Sequence, residues 1–144
     1  MTLEVKVSGL DELNASLEML GRFGDAPLTR ALKSIGQAVV GQTIERFENE
    51  IDPDGNKWKR RKVETKKTQG RKILHGETGQ LKRVTYIDGK GFVKIGASVN
   101  YGVFHQFGTK KMPARAFLGI NKDDYEEITE ILTNQLRKHF GTNN

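Results

Sequence analysis

Apolar residues at helical spacing predict three helices. The first covers Leu10 to Leu20 and ends before Gly21 and Gly24. The second runs from about Ala26 to Glu50, with Asp25 as a candidate cap and an apolar stripe that includes Leu28, Leu32, Ile35, Val39 and Phe47. The third follows Asn121, and its apolar positions are Tyr125, Ile128, Leu132, Leu136 and Phe140. Its acids lie near its start and its bases near its end, which is the order that the helix dipole favours.

Strand patterns occupy other parts of the chain. Leu3 to Val7 alternates apolar and polar residues, which is typical of a half-buried strand. Leu81 to Ile87 and Phe92 to Ile95 flank a glycine-containing connection and predict a β-hairpin. A further strand is expected at Ala116 to Ile120. The predicted fold is therefore α+β, with an antiparallel sheet of about four strands packed by one long helix and one or two shorter helices.

Between the long helix and the hairpin the pattern is lost. Asp52-Pro53-Asp54-Gly55 is a strong turn signal that ends the long helix. Residues 56–79 are polar and basic, and a loop of this length in a compact domain is usually functional or disordered. We expect residues 1–144 to form a single domain that carries 56–79 as a flexible basic loop.

The charge of the chain is concentrated in this loop. Nine basic residues and one acid, Glu64, lie between Asn56 and Lys72, within a chain whose net charge is +6. The rest of the chain is therefore slightly acidic, and the protein is a near-neutral domain with one basic segment. The bases are Lys57, Lys59, Arg60, Arg61, Lys62, Lys66, Lys67, Arg71 and Lys72.

This basic segment leaves three interpretations open. It could be a solvated arm, an arm that contacts another protein, or a contact for nucleic acid, because Lys and Arg neutralise phosphates and Trp58 could stack on a base. One tryptophan does not make a stacking platform. We further hypothesise that residues 56–72 are poorly ordered in the isolated subunit and become ordered on a partner.

Candidate metal and catalytic chemistry is weak. The chain has no cysteine, and His75, His105 and His139 have no ligand spacing. The Asp52 to Asn56 run departs from a calcium loop, because Lys57 occupies the position that needs glycine and Val63 the position that needs a bidentate glutamate. No nucleophile elbow or phosphate-binding loop is present. We expect no cofactor, no metal and no enzyme activity, although an enzyme of unrecognised type stays an alternative.

Nothing in the pattern predicts a membrane segment or a secretion signal. No apolar run approaches the roughly 18 residues that a membrane span needs, and the first residues lack a basic stretch followed by an apolar one. We therefore expect the protein to fold in the cytoplasm.

Aromatic residues are dense near residue 100. Tyr101, Phe104 and Phe107 lie within seven residues, and we expect them to be partly in the core, with His105 and Gln106 at its edge.

Five motifs occur in a familiar order along the chain. They are Pro53-Asp54-Gly55 with Trp58; Ile73-Leu74 with Thr78-Gly79-Gln80-Leu81; Val93-Lys94-Ile95-Gly96; Tyr101 to Gly108 (YGVFHQFG); and Pro113 to Gly119 (PARAFLG). The series resembles the phage virion morphogenesis family, the tail-completion proteins of tailed bacteriophages and Mu-like prophages.

That resemblance implies a structural part of the phage, without a reaction. It would form a ring with copies of itself at the head-proximal end of the tail or at the neck, contact other tail or neck proteins, and ready the tail for joining to the head. It would assemble in the host cytoplasm and then belong to the virion. The alternative is a nucleic-acid-binding module that uses residues 56–72.

Together, the basic segment and these motifs predict the partner-contact residues. They are Lys57, Trp58, Lys59, Arg60, Arg61, Lys62, Lys66, Lys67, Tyr101, His105, Phe107 and Arg115.

Overall fold

The computed structural model describes residues 11–75, 79–89, 91–97 and 101–140. They contain four helices and a two-stranded antiparallel sheet, so the α+β class is confirmed. The elements are α1 (Asp11–Gly21), α2 (Asp25–Asn49), β1 (Val84–Gly89), β2 (Phe92–Ala97), α3 (Gly102–Phe107) and α4 (Lys122–Phe140).

The three helices that the periodicity predicts are confirmed as α1, α2 and α4. At the start of α4, the Asn121 side-chain Oδ1 accepts a hydrogen bond from the Asp124 backbone N–H at 2.8 Å. The Asp124 carboxylate in turn accepts from the Asn121 N–H at 3.1 Å. This reciprocal pair satisfies two donors that a helix start leaves without intrahelical partners.

The predicted hairpin is confirmed as β1 and β2, but a sheet of four strands is not. The predicted strand at Leu3 to Val7 lies outside the described residues. The prediction of a strand at Ala116 to Ile120 is wrong, because that segment is irregular.

In this segment, side chains form the hydrogen bonds to backbone carbonyls that a neighbouring strand would form in a sheet. Four successive backbone carbonyls accept from side chains that are distant in sequence, so no neighbouring strand is required to satisfy them. The pairs are Trp58 Nε1 to Ala116 O (2.8 Å), Arg46 Nη1 to Phe117 O (3.2 Å) and Gly119 O (3.0 Å), and Gln106 Nε2 to Leu118 O (2.9 Å).

The chain divides into two compact units, and α2 and both strands contribute residues to each. Among the described residues, the first unit contains 40–75, 79–85, 96–97 and 101–119. The second contains 11–39, 86–89, 91–95 and 120–140. The single-domain prediction stays a prediction.

The second unit has an aliphatic core built from helices α1, α2 and α4. Its buried residues are Leu13, Leu20, Ala31, Ile35, Val39, Ile128 and Leu132. Val93 and Ile95 of β2 pack against this cluster. Gly36 of α2 permits close packing there, because a Cβ at this position would lie 2.8 Å from ring atoms of Tyr86.

The first unit has an aromatic core. Phe47 and Phe117 are fully buried, with ring centroids 5.1 Å apart. The Trp58 ring meets Phe47 edge to face at 5.5 Å. Ile73, Leu81 and Val84 are buried in this unit as well. The core of this unit therefore joins the C-terminal part of α2 to the basic segment and to the segment after α3.

Candidate assembly surface

Helix α3 presents a row of exposed aromatic side chains. Tyr101 directly precedes the helix, and Phe104 and Phe107 follow at intervals of three residues; they are 43%, 52% and 60% exposed. We call these three side chains the aromatic ridge. On the inward side, Gly102 and Gln106 are buried.

The expectation that these aromatics lie partly in the core is wrong, and so is the placement of Gln106 at its edge. Because residues three apart lie close together on a helix, the three rings share one side while Gln106 occupies the other. The inward side is therefore small and polar, and the bulky apolar side chains are left at the surface.

The buried amide of Gln106 anchors α3. Its Oε1 accepts from the backbone N–H groups of Phe117 and Leu118, both at 3.0 Å. Its Nε2 donates to the Leu118 carbonyl at 2.9 Å. One side chain thereby satisfies three backbone groups and holds the helix against the irregular segment.

Gly108 ends the helix where the chain passes close to itself. Its φ is 75°, and its N–H donates to the Phe104 carbonyl at 2.8 Å. A Cβ at this position would lie 2.7 Å from the backbone nitrogen of Ala114. Glycine therefore supplies both the left-handed conformation and the space that this turn needs.

Arg115 connects α3 to the basic segment. Its backbone N–H donates to the His105 carbonyl at 2.7 Å, and its Nε donates to the Lys59 carbonyl at 2.8 Å. Burial lowers the pKa of Arg115, as does the nearby charge of Arg61. The predicted contact residue Arg115 thus has a role inside the first unit.

His105 is half-buried between the ridge and Arg115. Its ring lies edge-on to that of Tyr101, with centroids 6.0 Å apart. Its Nδ1 is buried and has no hydrogen-bond partner among the described residues. Burial lowers the pKa of His105, and the charge of Arg115 lowers it further. The folded chain therefore favours the neutral imidazole.

Trp58 lies in the core of the first unit. The residue is only 4% exposed, and its indole N–H donates a hydrogen bond to the Ala116 carbonyl. The ring presents almost no surface on which a base or a partner could stack.

Several bases of the basic segment are engaged inside the first unit. The Arg61 guanidinium donates to the carbonyls of Thr68, Arg71 and Lys72 at 3.2, 3.1 and 2.9 Å, and it pairs with the Glu64 carboxylate at 3.3 Å. Further bonds are Lys57 Nζ to Asn49 O (2.9 Å), Arg60 to Glu50 (2.8 Å) and Lys72 to Glu48 (3.2 Å). Residues 61–72 therefore fold around the Arg61 guanidinium. The mobility of the segment stays a prediction.

Four lysines of the segment remain available at the surface. All four residues are exposed, and their ammonium groups make no ion pair with the described residues. We call them the lysine patch: Lys59, Lys62, Lys66 and Lys67.

The sequence analysis did not single out Arg46, and it placed Gln106 at the edge of the core without predicting its buried hydrogen bonds. Both are buried, with 3% and 6% exposure. An arginine beside the apolar stripe of a long helix is a usable signal, because a buried guanidinium must find acceptors. A glutamine inside an aromatic run is a similar signal. For neither residue does the sequence show which backbone groups it binds.

Two further findings bear on the kind of site. Within the described ranges, no group of three or more His, Asp or Glu side chains is placed to hold a metal ion. None of the helices described here has the length and apolar character that a membrane span needs.

Comparison with known proteins identifies the class to which this fold and surface belong. Residues 10–137 match the model of the phage virion morphogenesis family, and the chain belongs to that family. It is also similar to the Mu-like prophage FluMu G protein 1 of Haemophilus influenzae, with 31% identity over 80% of this chain and 92% of that protein. No solved structure matches the chain.

These similarities support a phage structural or morphogenesis role. The family also suggests a structural protein and not a catalytic one.

Proposed function

We propose that this chain is a structural subunit of phage tail completion and head-tail joining. It would assemble with copies of itself into a ring at the head-proximal end of the tail or at the neck, and contact the tail or neck proteins there. Assembly would take place in the host cytoplasm, after which the subunit stays in the virion. The family and the prophage relative support the coarser part of this proposal.

The aromatic ridge is the observation that favours assembly. Three large aromatic side chains lie exposed, one directly before and two on a helix of six residues whose position is fixed by a buried amide. An exposed cluster of this kind is unfavourable in an isolated subunit, and aromatic residues are enriched where proteins bind each other. The ridge would be covered in the assembled ring.

The proposal is tested by complementing a prophage from which the gene has been deleted. The deletion is expected to yield unjoined heads and tails in electron micrographs, and the wild-type gene is expected to restore joined, infectious particles. Normal particles from the deletion would refute the proposed function.

A substitution tests the ridge within the same assay. Phe104→Ser is expected to reduce the infectious titre at least tenfold while leaving thermal unfolding close to wild type. Ile87→Ser is the matched control, because Ile87 is 67% exposed and lies outside the ridge. Equal titres for the two variants would exclude the ridge as the assembly contact.

A nucleic-acid-binding module is the second candidate, and the lysine patch is the observation that favours it. Duplex DNA binding by the purified chain, with affinity that falls steeply as salt rises, would support it. Trp58 is buried, so it cannot be the stacking group that the sequence suggested.

A further inference from the structure

The aromatic ridge and the lysine patch both belong to the first unit, and Arg115 links the segments that carry them. Its backbone N–H donates to the His105 carbonyl beside the ridge, and its Nε donates to the carbonyl of Lys59, a member of the patch. Arg61, which folds the basic segment, lies close enough to lower the pKa of Arg115. The ridge and the patch offer exposed rings and positive charge that the described residues do not neutralise, and we call the two together the basic-aromatic face. Its chemistry calls for a partner surface that is acidic.

The second unit carries a surface of the opposite charge. Three acidic residues occupy positions i, i+3 and i+7 of α4, so they line one face of the helix, and all three are exposed. We call them the acidic stripe: Asp123, Glu126 and Glu130.

The acidic stripe is not explained by the stability of α4. Acids at the start of a helix interact favourably with its dipole, but only within the first turn. Like charges three and four residues apart repel each other by a few tenths of a kcal/mol per pair. Glu130 lies beyond the first turn and has Glu126 as its neighbour four residues earlier. A cationic partner surface would relieve this repulsion.

We infer that the basic-aromatic face of one copy binds the acidic stripe of α4 on a second copy. This contact rests on the proposed ring and names its two sides. It joins two different surfaces of the protomer, which is the head-to-tail arrangement that closes into a ring when the rotation between subunits permits. The lysine patch supplies charge and orientation, and the ridge supplies apolar area.

A second copy fits the basic-aromatic face better than DNA does. Within the segment, both arginines of the predicted contact set already bind internal acceptors. The bases left without an ion pair among the described residues are therefore lysines. Trp58 is buried. A protein surface can bury the exposed rings, whereas in duplex DNA the bases are stacked on one another and the backbone offers the rings only charged phosphates and sugars.

Charge reversal on each side tests the contact. One variant carries Lys62→Glu and Lys66→Glu, and the other carries Glu126→Lys and Glu130→Lys. Sedimentation velocity of full-length chains at low salt is expected to show self-association of the wild type, and at least a tenfold weaker association of each variant alone. An equimolar mixture of the two variants is expected to associate again, because each supplies the charge that the other lacks.

Two controls separate a specific contact from general charge effects. The chain with all four substitutions keeps the net charge of +6 and is expected to associate like wild type. Arg30→Glu with Lys33→Glu alters two exposed bases of α2 by the same charge and is expected to leave association unchanged. Restoration by mixing also excludes a contact within one chain, which no second variant could repair.

Other outcomes would overturn the inference. They are a wild type that stays monomeric at low salt, a mixture that fails to associate, or duplex DNA binding that the Lys62→Glu, Lys66→Glu variant loses while its self-association is unchanged. The deletion assay separates this result from the proposed function. Failed mixing together with unjoined heads and tails refutes only the contact, whereas association as expected with normal particles from the deletion refutes only the function.

Discussion

Gln106 shows how a single side chain positions the surface that we assign to assembly. Its amide replaces the edge of a strand, since it accepts two N–H groups and donates to one carbonyl of the segment after α3. Arg46 acts similarly on the carbonyls of Phe117 and Gly119. Buried polar groups of this kind are costly only when they lose a partner.

Removing the Gln106 amide is expected to destabilise the chain strongly. Gln106→Ala would leave three buried backbone groups without partners, and the free energy of unfolding is expected to fall by about 3 kcal/mol or more. Urea unfolding measures this change. Gln37→Ala, at an exposed position of α2, is the matched control and is expected to change stability by less than about 0.5 kcal/mol. A similar small effect for Gln106→Ala would contradict the anchoring role.

His105 should make stability depend on pH. Its pKa is lowered in the folded chain, so below the ordinary value near 6.5 the unfolded state takes up a proton that the folded state resists. The contribution of His105 to the free energy of unfolding is therefore fully present above that value. It declines as the pH falls below that value and through the lowered pKa of the folded chain.

The measurement compares urea unfolding at pH 7.5 and pH 5.5 for wild type and His105→Gln. The variant is expected to lose less stability between the two pH values than wild type does. His139→Gln, which retains His105, is expected to lose as much as wild type. An identical loss in wild type and His105→Gln would show that His105 is not responsible.

Hydrophobic periodicity predicted those helices and strands that depend on residues close together in sequence. Helices α1, α2 and α4 and the β1–β2 hairpin follow from the spacing of apolar residues and from turn residues. Helix α3 was missed because its exposed face is aromatic and its buried face carries Gly102 and Gln106, which inverts the usual pattern.

The wrong strand at Ala116 to Ile120 has a related cause. Phe117 and Leu118 are buried, but the donors that satisfy the carbonyls of this segment come from α2, the basic segment and α3. These partners are up to 73 residues away in sequence, and local pattern holds no information about them.

Two glycines of α2 provide a matched test of packing. Gly36→Ala would place a methyl group against the Tyr86 ring and is expected to destabilise by about 1–3 kcal/mol. Gly41→Ala meets nothing within 4 Å and is expected to stabilise by up to about 1 kcal/mol, because alanine favours the helix. Thermal unfolding of both variants checks the opposite signs; a stabilising Gly36→Ala would contradict the close packing of α2 on the hairpin.

At the scale of the whole molecule, the candidate site is a set of surfaces instead of a cleft. Sequence reasoning identified the basic segment and the motif residues around α3, because charge runs and motif order are visible along the chain. It did not divide the segment into bases that fold it and lysines that face solvent, since that division depends on acceptors elsewhere in the first unit. It explained the acids of α4 by the helix dipole alone.

The proposed function makes this chain a structural component of the phage particle. Quantitative mass spectrometry tests this on purified particles induced from a host that carries the gene, with peptides of this chain counted against those of the major tail protein. We expect a fixed number of copies per particle, and this number should persist through high-salt washing. Intact, infectious particles that lack the chain would contradict it.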